Sequence, residues 1–227
     1  MNSNTTQIAA VSRETLQRLP EYLNCLKAIE KENIEFVSAS EIGKHFGLTD
    51  VQVKDDLDCI GCERLSETEE YSSHHVVEKL VKFLDYDNTK DAVLVGAGRL
   101  GKTLLGYDGF ENYGLNIAVA FDIDFNTIGT SVNGKQILSV ENMKNLCERL
   151  NIHIGIITVP ARSAQQVCNL LIKCGVFAIW NFSPIKLDVP DGIIVQNENM
   201  ASSLAVLSNR LANRLTEGFS CQDKQQI

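Results

Sequence analysis

No stretch of this chain approaches the roughly 20 consecutive apolar residues that a membrane-spanning helix needs, and its opening, MNSNTT, lacks the apolar segment of a secretory signal. A cytoplasmic protein with no membrane partner is therefore expected. A disulfide framework is missing as well. Cys25, Cys59, Cys62, Cys147, Cys168, Cys174 and Cys221 are odd in number and follow no paired spacing, so they read as reduced thiols. There is no internal repeat and no low-complexity segment. Positive charge is scarce at one end: residues 1–86 hold nine Lys/Arg against sixteen Asp/Glu, whereas residues 87–227 hold twelve against thirteen. The first third is thus strongly acidic and the rest nearly balanced.

What is present falls into two rhythms. Over residues 13–31, Leu16, Leu19, Leu23, Leu26 and Ile29 recur at helical spacing, with Pro20 expected to kink or break the helix. Ser38 with Glu41, and Thr49 with Gln52, have the spacing of capping boxes, each opening a short helix. Gly47 closes the first of these, and the second runs to about Cys59. Helix, glycine turn and capped helix within some twenty residues outline a helix-turn-helix. A charged stretch from Glu63 to Ser73 follows, then a helix with Val76, Val77, Leu80, Val81 and Leu84 on one face, then a linker at 85–89.

From Asp91 the pattern becomes strand, turn, helix, repeated. Short apolar runs at 92–95, 117–121, 152–158, 176–180 and 193–195 alternate with helical patterns at 100–105, 140–150 and 161–173. Such alternation implies a doubly wound parallel sheet of the Rossmann type. A last helix, from Asn199 to about Leu215, carries Leu204, Leu207, Leu211 and Leu215 on one stripe. The domains expected are 1–86, 87–197 and a C-terminal dimerisation helix with its tail at 198–227.

The chemistry lies in Gly96-Ala97-Gly98-Arg99-Leu100-Gly101, which fits G-x-G-x-x-G between an apolar strand and a helix. Gly96 permits the turn, Gly98 lets a pyrophosphate approach the backbone, and Gly101 lets helix and strand pack closely. Free N–H groups at the helix start face the phosphates. Asp122 follows Ala118-Val-Ala-Phe121 at the end of the second strand, 21 residues after Gly101. A carboxylate there accepts ribose hydroxyls and repels a 2′-phosphate, so NAD(H) is the cofactor expected over NADP(H). A dehydrogenase also needs a proton-transfer group beside the nicotinamide. His153 begins a strand, and Tyr86-x-x-x-Lys90 falls in the linker, so neither fits. The balance moves from enzyme to sensor.

The chain resembles the Rex family of redox-sensing transcriptional repressors over about residues 12–213. The likeness is carried by Arg18-Leu-Pro-x-Tyr22-Leu, the glycine motif, Tyr107, Phe121-Asp-Ile-Asp124, Thr158-Val-Pro-Ala161 with Ala164-Gln165, and Asn181-Phe-Ser-Pro184 with Val189-Pro190. It implies a winged helix ahead of a Rossmann domain, and a C-terminal helix exchanged between the subunits of a homodimer. NADH and NAD+ would compete for one site, NADH releasing operator DNA. The resemblance adds Ile123 to the cofactor site and places Thr158, Val159 and Pro160 with Asn181, Phe182 and Ser183 on the nicotinamide side. Asn24, Tyr107, Asn199 and Met200 fall at switch positions, and Lys44, Gln52, Lys54 and Asp55 at DNA-facing ones.

Three departures stand out. The recognition helix, 50–58, holds one Lys and four Asp, and the wing from Gly61 to Ser73 has four Glu, one Arg and no further glycine. Because Lys and Arg contacts to phosphate supply most non-specific DNA affinity, weakened DNA binding is expected, and Arg13, Arg18 and Lys44 are the remaining cations that could face a duplex. Amides at Asn24 and Asn199 replace an opposite-charge pair of the family. Cys59 and Cys62 stand at C-x-x-C spacing with His74 and His75 beyond, but without the H-x₃₋₅-H spacing of a zinc site. The leading reading is a homodimeric NAD(H) sensor in transcription regulation. Its alternatives are a paralogue signalling through a protein partner and a small NAD-dependent oxidoreductase.

Overall fold

The structure is a computed structural model that describes residues 11–65 and 69–222, leaving out the side chains of Met200 and of 216–222. The chain divides into two compact units between Thr89 and Lys90, three residues beyond the boundary expected from the sequence.

In the first unit, α1 (Arg13–Lys31) runs unbroken through Pro20. Of the kink or break expected there, the break does not occur. Leu19, Tyr22, Leu23 and Leu26, on both sides of the proline, are all buried, and this packing offsets one missing backbone hydrogen bond. Leu16 is exposed, so the buried stripe is carried by Tyr22 instead. The strand β1 (Phe36–Val37) precedes α2 (Ala39–Phe46) and α3 (Asp50–Cys59). Both capping boxes form as the sequence predicts, and Gly47 takes the left-handed conformation at φ 66° that ends α2. After the wing stretch, β2 (Tyr71–Ser72) pairs antiparallel with β1 and leads into α4 (Ser73–Phe83). Ile42, Val53, Leu57, Val76 and Leu80 complete the core.

The second unit is a seven-stranded sheet. Its strands are β3 (Lys90–Val95), β4 (Leu115–Asp122), β5 (Ser131–Val132), β6 (Lys135–Ser139), β7 (Ile154–Ile157), β8 (Ala178–Asn181) and β9 (Ile194–Asn197). Their order is β5-β6-β4-β3-β7-β8-β9, all parallel except the β5–β6 hairpin. The helices are α5 (Arg99–Leu105), α6 (Met143–Leu150), α7 (Ala161–Lys173) and α8 (Met200–Gln222). Two apolar clusters lie in this unit, one including Val93, Val95, Phe121 and Ile157, the other Ala92, Leu94, Ile117 and Ile156. The alternation of β3 between them is that of a strand covered on both faces. Because β4 and β7 flank β3, the chain reverses direction across the sheet at β3. Ligands of such folds bind at the carboxyl ends of the strands at that point.

Candidate dinucleotide site and DNA-facing surface

Four strand ends build the candidate site. Gly96 to Gly101 follow β3, Asp122 ends β4, Thr158 follows β7, and Asn181 ends β8. Gly96 has φ 103°, a region that side chains rarely adopt, and a Cβ there would meet Val159 at 2.7 Å. A Cβ on Gly101 would overlap the Gly96 carbonyl oxygen, whereas one on Gly98 would meet nothing within 4 Å. The three glycines thus do different things. Two are demanded by the protein's own packing, and Gly98 keeps space free in front of the loop.

Asp122 does more than the sequence indicates. Its Oδ2 accepts the Ala97 N–H at 2.6 Å, and its Oδ1 accepts the N–H groups of Ile123 and Asp124 at 2.7 and 2.8 Å. It therefore fastens the glycine loop to the end of β4, with further lone pairs left for a hydroxyl donor. Thr158 braces the loop from the other side, its hydroxyl donating to the Gly96 carbonyl at 2.6 Å. An apolar cleft of about 420 Å³ opens between these elements. Gly98, Asp122, Ile123, Thr158, Val159 and Pro160 reach it, as do Arg162 and Ser163, which the sequence did not suggest. Arg99 and Leu100, at the start of α5, are exposed beside it.

The second turn differs from expectation. Asn181 is fully buried, its amide donating to the carbonyls of Ser183 and Ile185 and to Asn197 Oδ1, while its own Oδ1 accepts the Ser183 N–H. Ser183 is buried too and donates to the Val159 carbonyl. These two side chains shape the turn; of Asn181, Phe182 and Ser183, Phe182 alone is partly open. Phe182 begins a contact series through Trp180 and Phe110 to Tyr107, with ring centroids 4.8, 5.6 and 4.9 Å apart. Tyr107 is half exposed and lies across Gly109, where a Cβ would overlap its ring. The Trp180 indole donates to Glu198 at 2.8 Å. Asn199 caps α8, its side-chain oxygen accepting the Ser202 N–H at 3.0 Å. The Met200 side chain lies outside the described residues, and Asn24 is exposed on α1. His153 sits exposed at the start of β7 against Phe177.

On the first unit, the surface carries corrections. Asp56 is not a surface acid: it is 2% exposed and accepts hydrogen bonds from Arg18, Tyr22 and Thr15. Arg18 is thereby removed from the cations that could face DNA. Burial pushes the Asp56 carboxyl up, but the hydrogen bonds from Arg18, Tyr22 and Thr15 outweigh it and hold it below the ordinary value. Lys44, Gln52 and Asp55 are exposed, and Gln52 Oε1 is engaged by Thr49 in the capping box. Lys54 is held among carboxylates. Cys59 is exposed and Cys62 buried, with burial pushing the Cys62 thiol up to about 11. His74 pairs with Glu30 and Glu78, and no metal-holding group of three His, Cys, Asp or Glu exists among the described residues. No described helix is long and apolar enough to cross a membrane.

A winged helix-turn-helix unit followed by a dinucleotide-type parallel sheet is the class that fold and site define. Comparisons with known proteins narrow it. A family model described as "Putative DNA-binding protein N-terminus" matches residues 10–58, and one described as "CoA binding domain" matches 87–185. The redox-sensing transcriptional repressor Rex of Treponema denticola is 35% identical over 193 residues, spanning 85% of this chain and 91% of its own. That of Porphyromonas gingivalis is 34% identical over 210 residues, spanning 92% and 96%. Among solved structures, RSP in complex with beta-NAD+ and operator DNA superposes with a TM-score of 0.85 at 31% identity, covering 96% of this chain and all of that one. RSP, a Rex-family repressor, in complex with beta-NADH gives 0.82 over 93% of this chain and 99% of that one. This chain belongs to the Rex family of redox-sensing transcriptional repressors.

Proposed function

We propose that this chain is a homodimeric NAD(H)-binding redox sensor in transcription regulation. In this reading it takes up NADH or NAD+ at the glycine loop and answers through its N-terminal unit. The observation that carries this reading is the junction of Asp122 with the glycine loop, with unfilled space over Gly98. A pyrophosphate would lie over Gly98 and the start of α5, with the adenosine ribose against Asp122 and the adenine in the apolar cleft.

A sensor role is favoured over turnover by the relatives that align over most of this chain, which are redox-sensing transcriptional repressors. Coenzyme A, named in one family description, carries a 3′-phosphate on its ribose, and Asp122 opposes a second anion there. Leu204, Leu207, Leu211 and Leu215 are each more than half exposed on α8, an apolar stripe suited to a second copy of the chain. The RSP complex makes operator DNA the partner to expect, with low affinity here because so few cations are present between Asp50 and Glu70.

Titration with NADH, NADPH and coenzyme A tests the reading, using energy transfer from Trp180, the single tryptophan. NADH should saturate the site, with NADPH and coenzyme A about a hundredfold weaker, the scale of a like-charge contact. Equal binding of NADH and coenzyme A would refute it.

A further inference from the structure

The DNA-facing surface of the first unit is short of cations, and the two that lie between Asp50 and Glu70 are both occupied. Lys54 Nζ stands 3.0 Å from Glu69 Oε2 and 4.0 Å from Asp50 Oδ2, and Arg64 Nη1 stands 3.9 Å from the same Glu69 oxygen. One carboxylate oxygen therefore sits where a recognition-helix lysine and a wing arginine converge, an arrangement that suits a phosphate oxygen equally well.

Backbone geometry holds Glu69 in this place. Its φ is 57°, its N–H donates to the Leu65 carbonyl at 3.1 Å, and the Leu65 N–H donates to the Glu70 carbonyl at 2.9 Å. The hydrogen bond from Lys54, helped by the charges of Lys54 and Arg64, holds the Glu69 carboxyl below its ordinary range, so it is ionised throughout the neutral range. Its side chain remains largely exposed, which leaves the cluster open to solvent and to a competing anion.

We propose that Glu69 is an internal substitute for a DNA phosphate, occupying Lys54 and Arg64, and that this carboxylate lowers the chain's affinity for DNA by more than an unpaired surface acid does. The inference rests on the reading of the first unit as DNA-facing. Counterion release gives the scale. Each cation that engages a phosphate adds about 0.9 to the slope of log affinity against log salt. Two cations paired with one carboxylate withhold up to about twice that. Exposed ion pairs are individually weak and screened by salt. Glu69 therefore lowers affinity by competition and does not abolish binding.

The test is a fluorescence-anisotropy titration of the full-length protein with a labelled mixed-sequence duplex over a series of salt concentrations. Four proteins are compared: the unaltered chain, Glu69→Gln, Glu63→Gln, and Glu69→Gln combined with Lys54→Gln. Glu63→Gln makes the same change in net charge on the same stretch, and Glu63 has no ion pair within 4 Å among the described residues. Glu69→Gln should bind more tightly at low salt and lose an extra factor of about ten between 50 and 200 mM salt, as expected when two more cations engage phosphates. Glu63→Gln should raise affinity far less, and adding Lys54→Gln should remove about half of the added slope. An equal rise in Glu63→Gln and Glu69→Gln would overturn the proposal in favour of overall charge. Unchanged binding in a folded Glu69→Gln, checked by thermal melting, would overturn it outright. NADH titration of the same proteins judges the sensor reading separately, since the glycine loop lies in the other unit.

Discussion

Asp56 on α3 reaches back 38 residues to Arg18 on α1 and holds it at two points, each 2.7 Å long. The pair joins the helix that would lie in a DNA groove to the longest helix of its own unit. Tyr22 and Thr15 donate to the same carboxylate at 2.8 and 2.9 Å, leaving it fully engaged. A side chain that counts as repulsive in a charge tally is thus a structural tie.

Arg18→Met should therefore destabilise the first unit. It leaves the Asp56 charge buried with only two neutral donors, at a cost of about 3 kcal/mol, the lower end for a broken buried pair because Arg18 is partly exposed. Thermal melting of the variant measures it, and an unchanged melting temperature would show the tie to be idle.

The same carboxylate fixes a pH dependence. Its folded value lies below the ordinary 3.8, so the folded state binds its proton less readily than the unfolded chain does. The stability it contributes is fully present above about pH 5 and is lost as pH falls through the ordinary value toward the folded one. Denaturant unfolding followed down from pH 6 should show a loss that is smaller in Arg18→Met, where the carboxyl is less depressed.

Gly98 and Gly101 should separate binding from folding. Gly98→Ala places a methyl in open space, so melting should move within the range of a surface change while NADH titration shows affinity lost. Gly101→Ala drives a methyl into the Gly96 carbonyl and should cost about 1–3 kcal/mol of stability, as overpacking does. Normal NADH affinity in folded Gly98→Ala would remove the pyrophosphate from this loop.

Asp122→Ala removes both a ribose acceptor and the tie to Ala97. NADH should bind more weakly, and the preference for NADH over NADPH should shrink because the opposing charge is gone. Parallel titrations with both nucleotides measure this. A variant that binds less NADH with its preference intact would assign Asp122 to the loop alone.

Leu207→Glu with Leu211→Glu tests the exposed stripe of α8. Both lie more than half exposed within a single chain, so charge there costs little unless a second copy covers them. Light scattering after gel filtration should report a monomer. A dimer of undiminished stability would place the interface elsewhere.

The sequence by itself determined the elements that local chemistry specifies. Both capping boxes, the Gly47 stop, the glycine loop and the acid at the end of β4 were legible because each is a short pattern with one physical solution. The β5–β6 hairpin was legible too and was missed: Asn133 and Gly134 both adopt positive φ, the signature of a two-residue turn. Other features could not be read along the chain. Pro20 inside α1 depends on packing against distant residues, and the burial of Asp56 depends on a partner 38 positions away. That Asn181 and Ser183 turn inward follows from hydrogen bonds to Asn197 and Val159. Glu69 is one acid among many in the sequence, and the fold alone brings it between Lys54 and Arg64. Spacing reveals contacts within a helix turn or a strand; contacts between segments are settled only when the tertiary structure chooses which charges meet and which are buried.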